Sequence, residues 1–155
     1  MDARVLHRAL LLAILAGLAF SAYAAFEVLN PALQHSCSIS AFFSCSAVDR
    51  SGHTTVGAVS DWEIGLGGFG VMFALDVPLL RTYDPRLLTA VTVLALAGAV
   101  VAAGLAGVEL FVIHALCPIC LGAYLSDAAV LGIALALVWM RRAPPPVAPE
   151  PTGSS

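Results

Sequence analysis

Residues 87–113 read LLTAVTVLALAGAVVAAGLAGVELFVI, an apolar run that contains one charged residue, Glu109. A helix needs about 20 predominantly apolar residues to cross the hydrocarbon core of a bilayer, so this run is long enough to span a membrane. Three further apolar runs occupy residues 9–26, 64–80 and 121–140. The sequence therefore predicts an all-α membrane protein in which residues 1–142 form one bundle of four transmembrane helices.

The composition of the 155-residue chain agrees with this prediction. Hydrophobic residues make up 60% of the chain, charged residues only 11%, and the mean hydropathy is +0.95. These values differ strongly from those of a soluble domain. The net charge is -3 and the chain contains no lysine, so it offers no basic surface for nucleic acid, and we exclude that class of partner. The proline-rich residues 143–155 are expected to be a disordered tail without an assigned function.

The arginines predict the orientation of the bundle. Six of the seven basic residues lie at the N-terminus, in the turn between the second and third spans, and at the C-terminus: Arg4, Arg8, Arg81, Arg86, Arg141 and Arg142. Four spans place these segments on one side, and the positive-inside rule makes that side cytoplasmic. We expect both termini to be cytoplasmic, with the loop between the first two spans outside. The alanine-rich, lysine-free composition favours the plasma (inner) membrane of a prokaryote.

The first apolar run has a second interpretation. Arg4 and Arg8 precede it, and Ala22-Tyr23-Ala24 follows near its end, as in a cleaved secretory signal peptide. The run is longer than the usual hydrophobic region of such a peptide, which favours a membrane span. Cleavage would leave three spans and would not move the cysteines to the other side.

All four cysteines lie on the predicted outer side. Cys37 and Cys45 belong to the long first loop, and Cys117 and Cys120 form a C-x-x-C motif where the fourth span begins. Pro118 suits the first position of a helix, because its missing N–H would have no partner there. A helix N-terminus favours the thiolate, which is the nucleophile in thiol–disulfide exchange. The motif therefore predicts a redox-active pair on an oxidising side of the membrane.

Four cysteines also admit two other interpretations. Four thiolates can bind a structural zinc ion, but the spacing between Cys37 and Cys45 is wider than such sites usually have. The other alternative is a set of disulfides that only stabilise the loops, as in many extracellular proteins. The small ring that a C-x-x-C disulfide closes disfavours a purely structural role, so redox chemistry remains the favoured interpretation.

The order of the two pairs resembles the vitamin K epoxide reductase family and its prokaryotic homologues, and the resemblance covers nearly the whole chain. Ser51 follows the first pair where the family has Ser or Thr, and Tyr124 follows the second pair where animal members have Tyr. The glycine-rich residues 64–70 resemble the start of the family's second helix. Asp61 stands where family members often carry an Asn that hydrogen-bonds the quinone. The quinone-linked oxidase of the bacterial disulfide system differs, because its C-x-x-C lies in the first outer loop.

The resemblance implies a quinone-dependent thiol–disulfide oxidoreductase. A reduced thioredoxin-like partner would attack a Cys37–Cys45 disulfide, and the freed Cys45 would attack Cys117 and release Cys120 to react with the quinone. The quinone would be ubiquinone, menaquinone or vitamin K. Alternatives are a reductase of vitamin K epoxide and a disulfide-stapled membrane scaffold.

The resemblance also implies contacts and a partner. Ser51, Asp61 and Tyr124 are the expected quinone-binding residues, and no metal is expected. Many prokaryotic relatives carry an additional thioredoxin-like domain. Because this sequence ends after the fourth helix, the expected partner is a separate thioredoxin-like or DsbA-like protein.

Ionisable residues inside the spans are further candidates, because they are costly at membrane depth. Asp76 is expected to pair with Arg81 near the cytoplasmic end of the second span. His114 is expected to be a solvated interfacial histidine rather than a proton relay. Asp127 lies two helical turns beyond Cys120, and the sequence leaves open a proton path to the quinone and a hydrogen-bonded contact between helices.

Overall fold

The computed structural model describes residues 3–30, 38–40, 42–52, 55–56, 59–82 and 84–142. The elements in this part of the chain are α1 (Ala3–Leu29), α2 (Cys45–Arg50), β1 (Thr55–Val56), β2 (Val59–Ser60), α3 (Asp61–Leu79), α4 (Pro85–Val108) and α5 (Pro118–Arg142). A π-helical turn, Glu109–Ile113, continues α4. The helices α1, α3, α4 with its π-helical turn, and α5 are each long and apolar enough to cross a membrane, so the prediction of four spans is confirmed.

Local sequence signals explain where three of these helices begin. The Glu63 carboxylate accepts a hydrogen bond of 2.8 Å from the Ser60 backbone N–H just before α3, an interaction typical of a capping box. Asp84 precedes α4, and its Oδ1 accepts a hydrogen bond from the Arg86 N–H at 2.8 Å. The helix α5 begins at Pro118, as the sequence predicts.

The four long helices form an up-and-down bundle in which α1 and α4 each pack against both α3 and α5. The half of the bundle remote from the cysteines has a continuous apolar core, to which all four helices contribute: Leu6, Leu10, Ile14, Met72, Leu79, Leu88, Val91, Val130 and Leu137. Large apolar side chains also point outward from the bundle, as at Leu12, Val100 and Leu125. An apolar outer surface of this kind is suited to a membrane, because contact between apolar side chains and lipid acyl chains is not unfavourable.

The loop between α1 and α3 contains structure that the sequence did not predict. It includes the short helix α2 and an antiparallel hairpin in which Thr55 pairs with Ser60 and Val56 with Val59. A six-residue helix and two-residue strands are too short to produce a periodic pattern, so their positions depend on contacts with the bundle.

The position of Asp76 differs from the one that the sequence predicts. Its predicted ion pair with Arg81 is wrong, because Asp76 is fully buried and neither carboxylate oxygen has a hydrogen-bond partner in the described part of the chain. Arg81 is exposed. The physical reason is helical spacing: Asp76 shares the buried face of α3 with Phe69, Met72 and Leu79, and therefore points into the bundle.

The glycines at which helices pack closely are not the ones that the sequence predicts. The glycines and alanines around Gly104 and Gly107 predict tight packing there. This prediction is wrong, because a Cβ added at either glycine would meet no atom of the described residues within 4 Å. An added Cβ would instead overlap a neighbouring side chain at four other glycines: Gly17 against Phe69, Gly65 against Ser21, Gly98 against Asp127, and Gly122 against Phe20.

The Gly17 contact generates a stability prediction. In Gly17→Ala the new methyl group would overlap the ring of Phe69, which is buried and would have to shift. We expect a loss of about 1–3 kcal/mol, typical of overpacking. Gly132→Ala is the control, because a Cβ there meets no atom within 4 Å among the residues that the structure describes, and it should leave stability unchanged or slightly increased. Thermal unfolding of the detergent-solubilised protein measures both; equal midpoints for the two variants would contradict the prediction.

Candidate active site at the buried cysteines

A short backbone pairing brings the two cysteine-bearing segments together. Phe43 and Leu116 form a parallel bridge in which the Leu116 N–H donates to the Phe42 carbonyl at 2.7 Å and the Ser44 N–H donates to the Leu116 carbonyl at 3.0 Å. Each bonded segment ends one residue before a cysteine, Cys45 at the start of α2 and Cys117 before α5. The bridge therefore sets the distance between the loop pair and the C-x-x-C pair.

The sulfur atoms of Cys45 and Cys117 are in contact, 3.2 Å apart. Cys45 is disulfide-bonded, whereas Cys117 and Cys120 are free thiols. All three are buried, with exposed fractions of 3%, 3% and 8% respectively. Cys37 lies outside the described residues. Because exchange proceeds by attack of one sulfur on another, this contact allows electrons to pass between the pairs without a large movement.

The C-x-x-C pair occupies a helix N-terminus, as predicted. Cys117 directly precedes α5, and its carbonyl accepts a hydrogen bond from the Leu121 N–H at 2.9 Å. The Cys117 sulfur accepts a hydrogen bond from the Cys120 N–H at 3.3 Å. That N–H belongs to the first turn of the helix, where backbone donors have no partner in the helix itself. It is positioned to stabilise negative charge on the Cys117 sulfur.

Asp61 lies beside the second thiol of the motif. The Cys120 thiol donates to Asp61 Oδ2 across 3.7 Å, and Asp61 Oδ1 accepts a hydrogen bond from the Trp62 N–H at 2.7 Å. Asp61 is the first residue of α3, so its side chain projects from a helix start toward the start of α5. A carboxylate in this position can accept the thiol proton.

Glu109 is a buried residue of the site to which the sequence analysis gave no role. One carboxylate oxygen, Oε2, accepts a hydrogen bond from the Cys117 backbone N–H at 3.0 Å, and the other, Oε1, accepts one from the Tyr124 hydroxyl at 2.9 Å. Glu109 begins the π-helical turn at the end of α4, and such turns occur frequently at functional sites. A lone carboxylate in a long apolar run was the available sequence signal.

A cavity of about 260 Å³ opens beside Cys120, between the four long helices. Its walls are mostly apolar and include the aromatic rings of Phe20, Trp62, Phe69 and Tyr124. Asp61 and Asp127 contribute polar side chains. The volume is close to the lower end for small-molecule sites, roughly 300 Å³, and suits a flat ring better than a long chain.

The structure places the predicted quinone-binding residues in two locations. Asp61 and Tyr124 line the cavity together with Cys120. Ser51 is not among the lining residues; its hydroxyl donates to the Val48 carbonyl at 2.6 Å at the end of α2. A contact between Ser51 and a quinone therefore stays a prediction from the resemblance.

His114 and Asp127 lie in different surroundings, the first outside the cavity and the second in its wall. His114 is exposed, has a left-handed backbone with φ of 57°, and its Nδ1 lies 3.2 Å from the Val112 carbonyl oxygen. It ends the π-helical turn and is not a cavity residue, in agreement with an interfacial histidine. Asp127 lines the cavity, and its Oδ2 has no hydrogen-bond partner among the described residues.

A bundle of four membrane helices that holds cysteine sulfurs in contact beside an apolar cavity defines a membrane thiol oxidoreductase. The family model described as the vitamin K epoxide reductase family matches residues 8–135, and the chain belongs to this family. Membership confirms the resemblance and the membrane bundle, and it identifies an oxidoreductase with a quinone-related activity. A comparison with curated proteins finds no match.

The two hydrogen bonds of Glu109 generate a second prediction. Glu109→Leu would leave the Cys117 N–H and the Tyr124 hydroxyl without their acceptor in a buried site, which costs about 1–3 kcal/mol for each group. Glu109→Gln keeps an oxygen acceptor of the same size and should lose much less. Thermal unfolding in detergent compares the two variants with the wild type. A Leu variant as stable as the Gln variant would show that these hydrogen bonds do not hold the site together.

Proposed function

We propose that this protein is a quinone-dependent thiol–disulfide oxidoreductase that generates disulfides. Electrons enter from a thioredoxin-like or DsbA-like partner at Cys37 and Cys45, pass to Cys117 and Cys120, and leave on a quinone. The observation that carries the proposal is the 3.2 Å contact between the Cys45 and Cys117 sulfurs, next to a thiol, Cys120, that lines an apolar cavity.

Each step of the exchange between the pairs forms one disulfide bond and breaks another. Reduction of the Cys37–Cys45 disulfide by the partner's dithiol leaves two thiols on the loop. The Cys45 thiolate attacks Cys117 in a Cys117–Cys120 disulfide, the bond between those two sulfurs breaks, and Cys120 leaves as a thiolate. Cys37 then attacks Cys45, which restores the loop disulfide and frees Cys117. The free Cys117 and Cys120 and the disulfide-bonded Cys45 of the structure correspond to the state after this exchange.

The residues around Cys120 have distinct roles in this proposal. Asp61 accepts the proton of the Cys120 thiol, from which its Oδ2 lies 3.7 Å away. The Cys120 N–H stabilises a thiolate on Cys117 during exchange. Tyr124, held by Glu109, forms part of the ring-binding wall. The apolar cavity excludes water, and a bound quinone supplies the two-electron acceptor.

The proposed location is the plasma (inner) membrane of a prokaryote, with the cysteines on the periplasmic or extracellular side and both termini in the cytoplasm. Support comes from the arginines at the end of the bundle opposite the cysteines: Arg4, Arg86 and Arg141 lie near helix ends, and Arg81 lies in the turn between α3 and α4. Residues 1–142 form the proposed membrane domain. The proline-rich residues 143–155 lie outside the described residues, and we propose no role for them.

Quinone reduction is the direct test. Fully reduced protein mixed with ubiquinone or menaquinone should change the quinone absorbance, and Cys120→Ala should abolish the change because it removes the thiol at the cavity. Cys37→Ala should lose only oxidation of the protein partner and keep turnover with a small dithiol. No absorbance change with either quinone would sink the proposal. Conversion of vitamin K epoxide with dithiothreitol as reductant would identify the epoxide reductase instead.

Exchange between the pairs has its own test. In the double variant Cys37→Ala with Cys120→Ala, the two remaining cysteines have sulfurs 3.2 Å apart in the wild type and should form a disulfide readily. Arg50, Arg81 and Arg86 lie between them in the chain, so cleavage after arginine yields fragments that stay joined only by this bond. Mass spectrometry before and after reduction detects the joined fragments. Cys45→Ala with Cys120→Ala is the matched control for the contact; equal linkage in both would contradict the proposed route.

A further inference from the structure

Asp127 is a polar residue of the cavity to which the exchange reaction assigns no task. It lies in the middle of α5, 6% exposed, between apolar turns of the bundle. Its Oδ2 has no hydrogen-bond partner among the described residues. An unpaired polar atom in an apolar interior is costly, so the position invites an explanation.

The neighbouring backbone leaves room for this carboxyl group. Gly98 of α4 also lines the cavity, and a Cβ added there would lie 2.7 Å from Asp127 Oδ1 and 3.1 Å from Oδ2. The side chain of any other residue at position 98 would therefore compete with the carboxyl group. The glycine thus allows Asp127 to lie against α4 at the cavity wall.

Helical spacing relates Asp127 to the reactive thiol. Cys120, Tyr124 and Asp127 follow each other on α5 with spacings of four and three residues, and all three line the cavity. Asp127 is therefore about 10 Å along the helix from Cys120, on nearly the same face. The two residues mark the two ends of one ring-binding space.

The other cavity carboxyl group differs from Asp127 in its partners. Asp61 already receives hydrogen bonds from the Trp62 N–H and the Cys120 thiol, and the Tyr124 hydroxyl is occupied by Glu109. No basic residue lines the cavity within the described part of the chain. A ring oxygen of a bound molecule, which accepts a hydrogen bond from the protonated carboxyl group, would therefore be the partner that Oδ2 lacks.

We propose that Asp127, with its carboxyl group protonated, is a second polar anchor for the quinone head group and donates a hydrogen bond from Oδ2 to the ring oxygen remote from Cys120. A para-quinone carries its two oxygens at opposite ends of the ring, so Cys120 and Asp61 meet one end and Asp127 the other. The anchor orients the ring in the cavity and discriminates ligands with two ring oxygens from ligands with one. This inference rests on the proposed function.

Binding of two matched ligands tests the anchor. Menadione has two ring carbonyls and α-tetralone has one, and equilibrium dialysis measures the affinity of each for the fully oxidised protein, which has no thiol for menadione to modify. Asp127→Leu should weaken the binding of menadione about tenfold, as expected for one lost hydrogen bond. The same variant should weaken the binding of α-tetralone less than about twofold. Asp127→Asn retains hydrogen-bonding groups and should weaken menadione less than about threefold.

Asp76→Leu is the matched control, because Asp76 is also a buried carboxyl group without a hydrogen-bond partner in the part of the chain that the structure describes, but it does not line the cavity. It should leave both affinities unchanged. If Asp127→Leu lowers the affinity for both ligands equally, or lowers neither affinity, the proposed role of Asp127 as an anchor is wrong and the proposed function is unaffected. Wild-type protein that binds neither ligand would overturn the quinone site and the anchor together.

Discussion

The geometry of the candidate active site depends on the parallel bridge between Phe43 and Leu116. Two backbone hydrogen bonds join the loop to the connection before α5. The next residue on each side is a cysteine, and the two cysteine sulfurs lie 3.2 Å apart. Backbone bonds hold this geometry independently of the side chains, so the cysteines can change redox state while their segments stay in register. Val48 and Ala115 complete the small buried cluster around the sulfurs.

A second constraint is the low polarity of the surroundings. A carboxyl group buried among apolar side chains is unfavourable unless donors satisfy its oxygens. Glu109 meets this condition with one backbone donor and one phenol, and it links the end of α4 to the start of α5. Asp61 meets it in part through Trp62 and Cys120. The polar residues of the site therefore also hold its helices together.

The low polarity of the surroundings also affects two further buried carboxyl groups, which differ in their access to the cavity. Asp76 and Asp127 are both buried and both have an oxygen without a partner in the described part of the chain. Asp76 lies on the core face of α3, whereas Asp127 lies at the cavity wall, where a ligand can reach it. Burial alone therefore does not indicate function; access to a cavity distinguishes the two residues.

The sequence by itself determined the four spans, the C-x-x-C pair at the start of α5 and the family, because hydropathy, a proline at a helix start and cysteine spacing are properties of contiguous residues. The family also led to Asp61, Tyr124 and Cys120, which the structure brings to one cavity. Only the tertiary structure decided that Cys45 contacts Cys117, that Glu109 bonds both Cys117 and Tyr124, and that Asp127 faces the cavity while Asp76 and Ser51 do not. These relations join residues far apart in the chain, and they depend on how the helices are rotated and packed, which the period of a single helix does not specify.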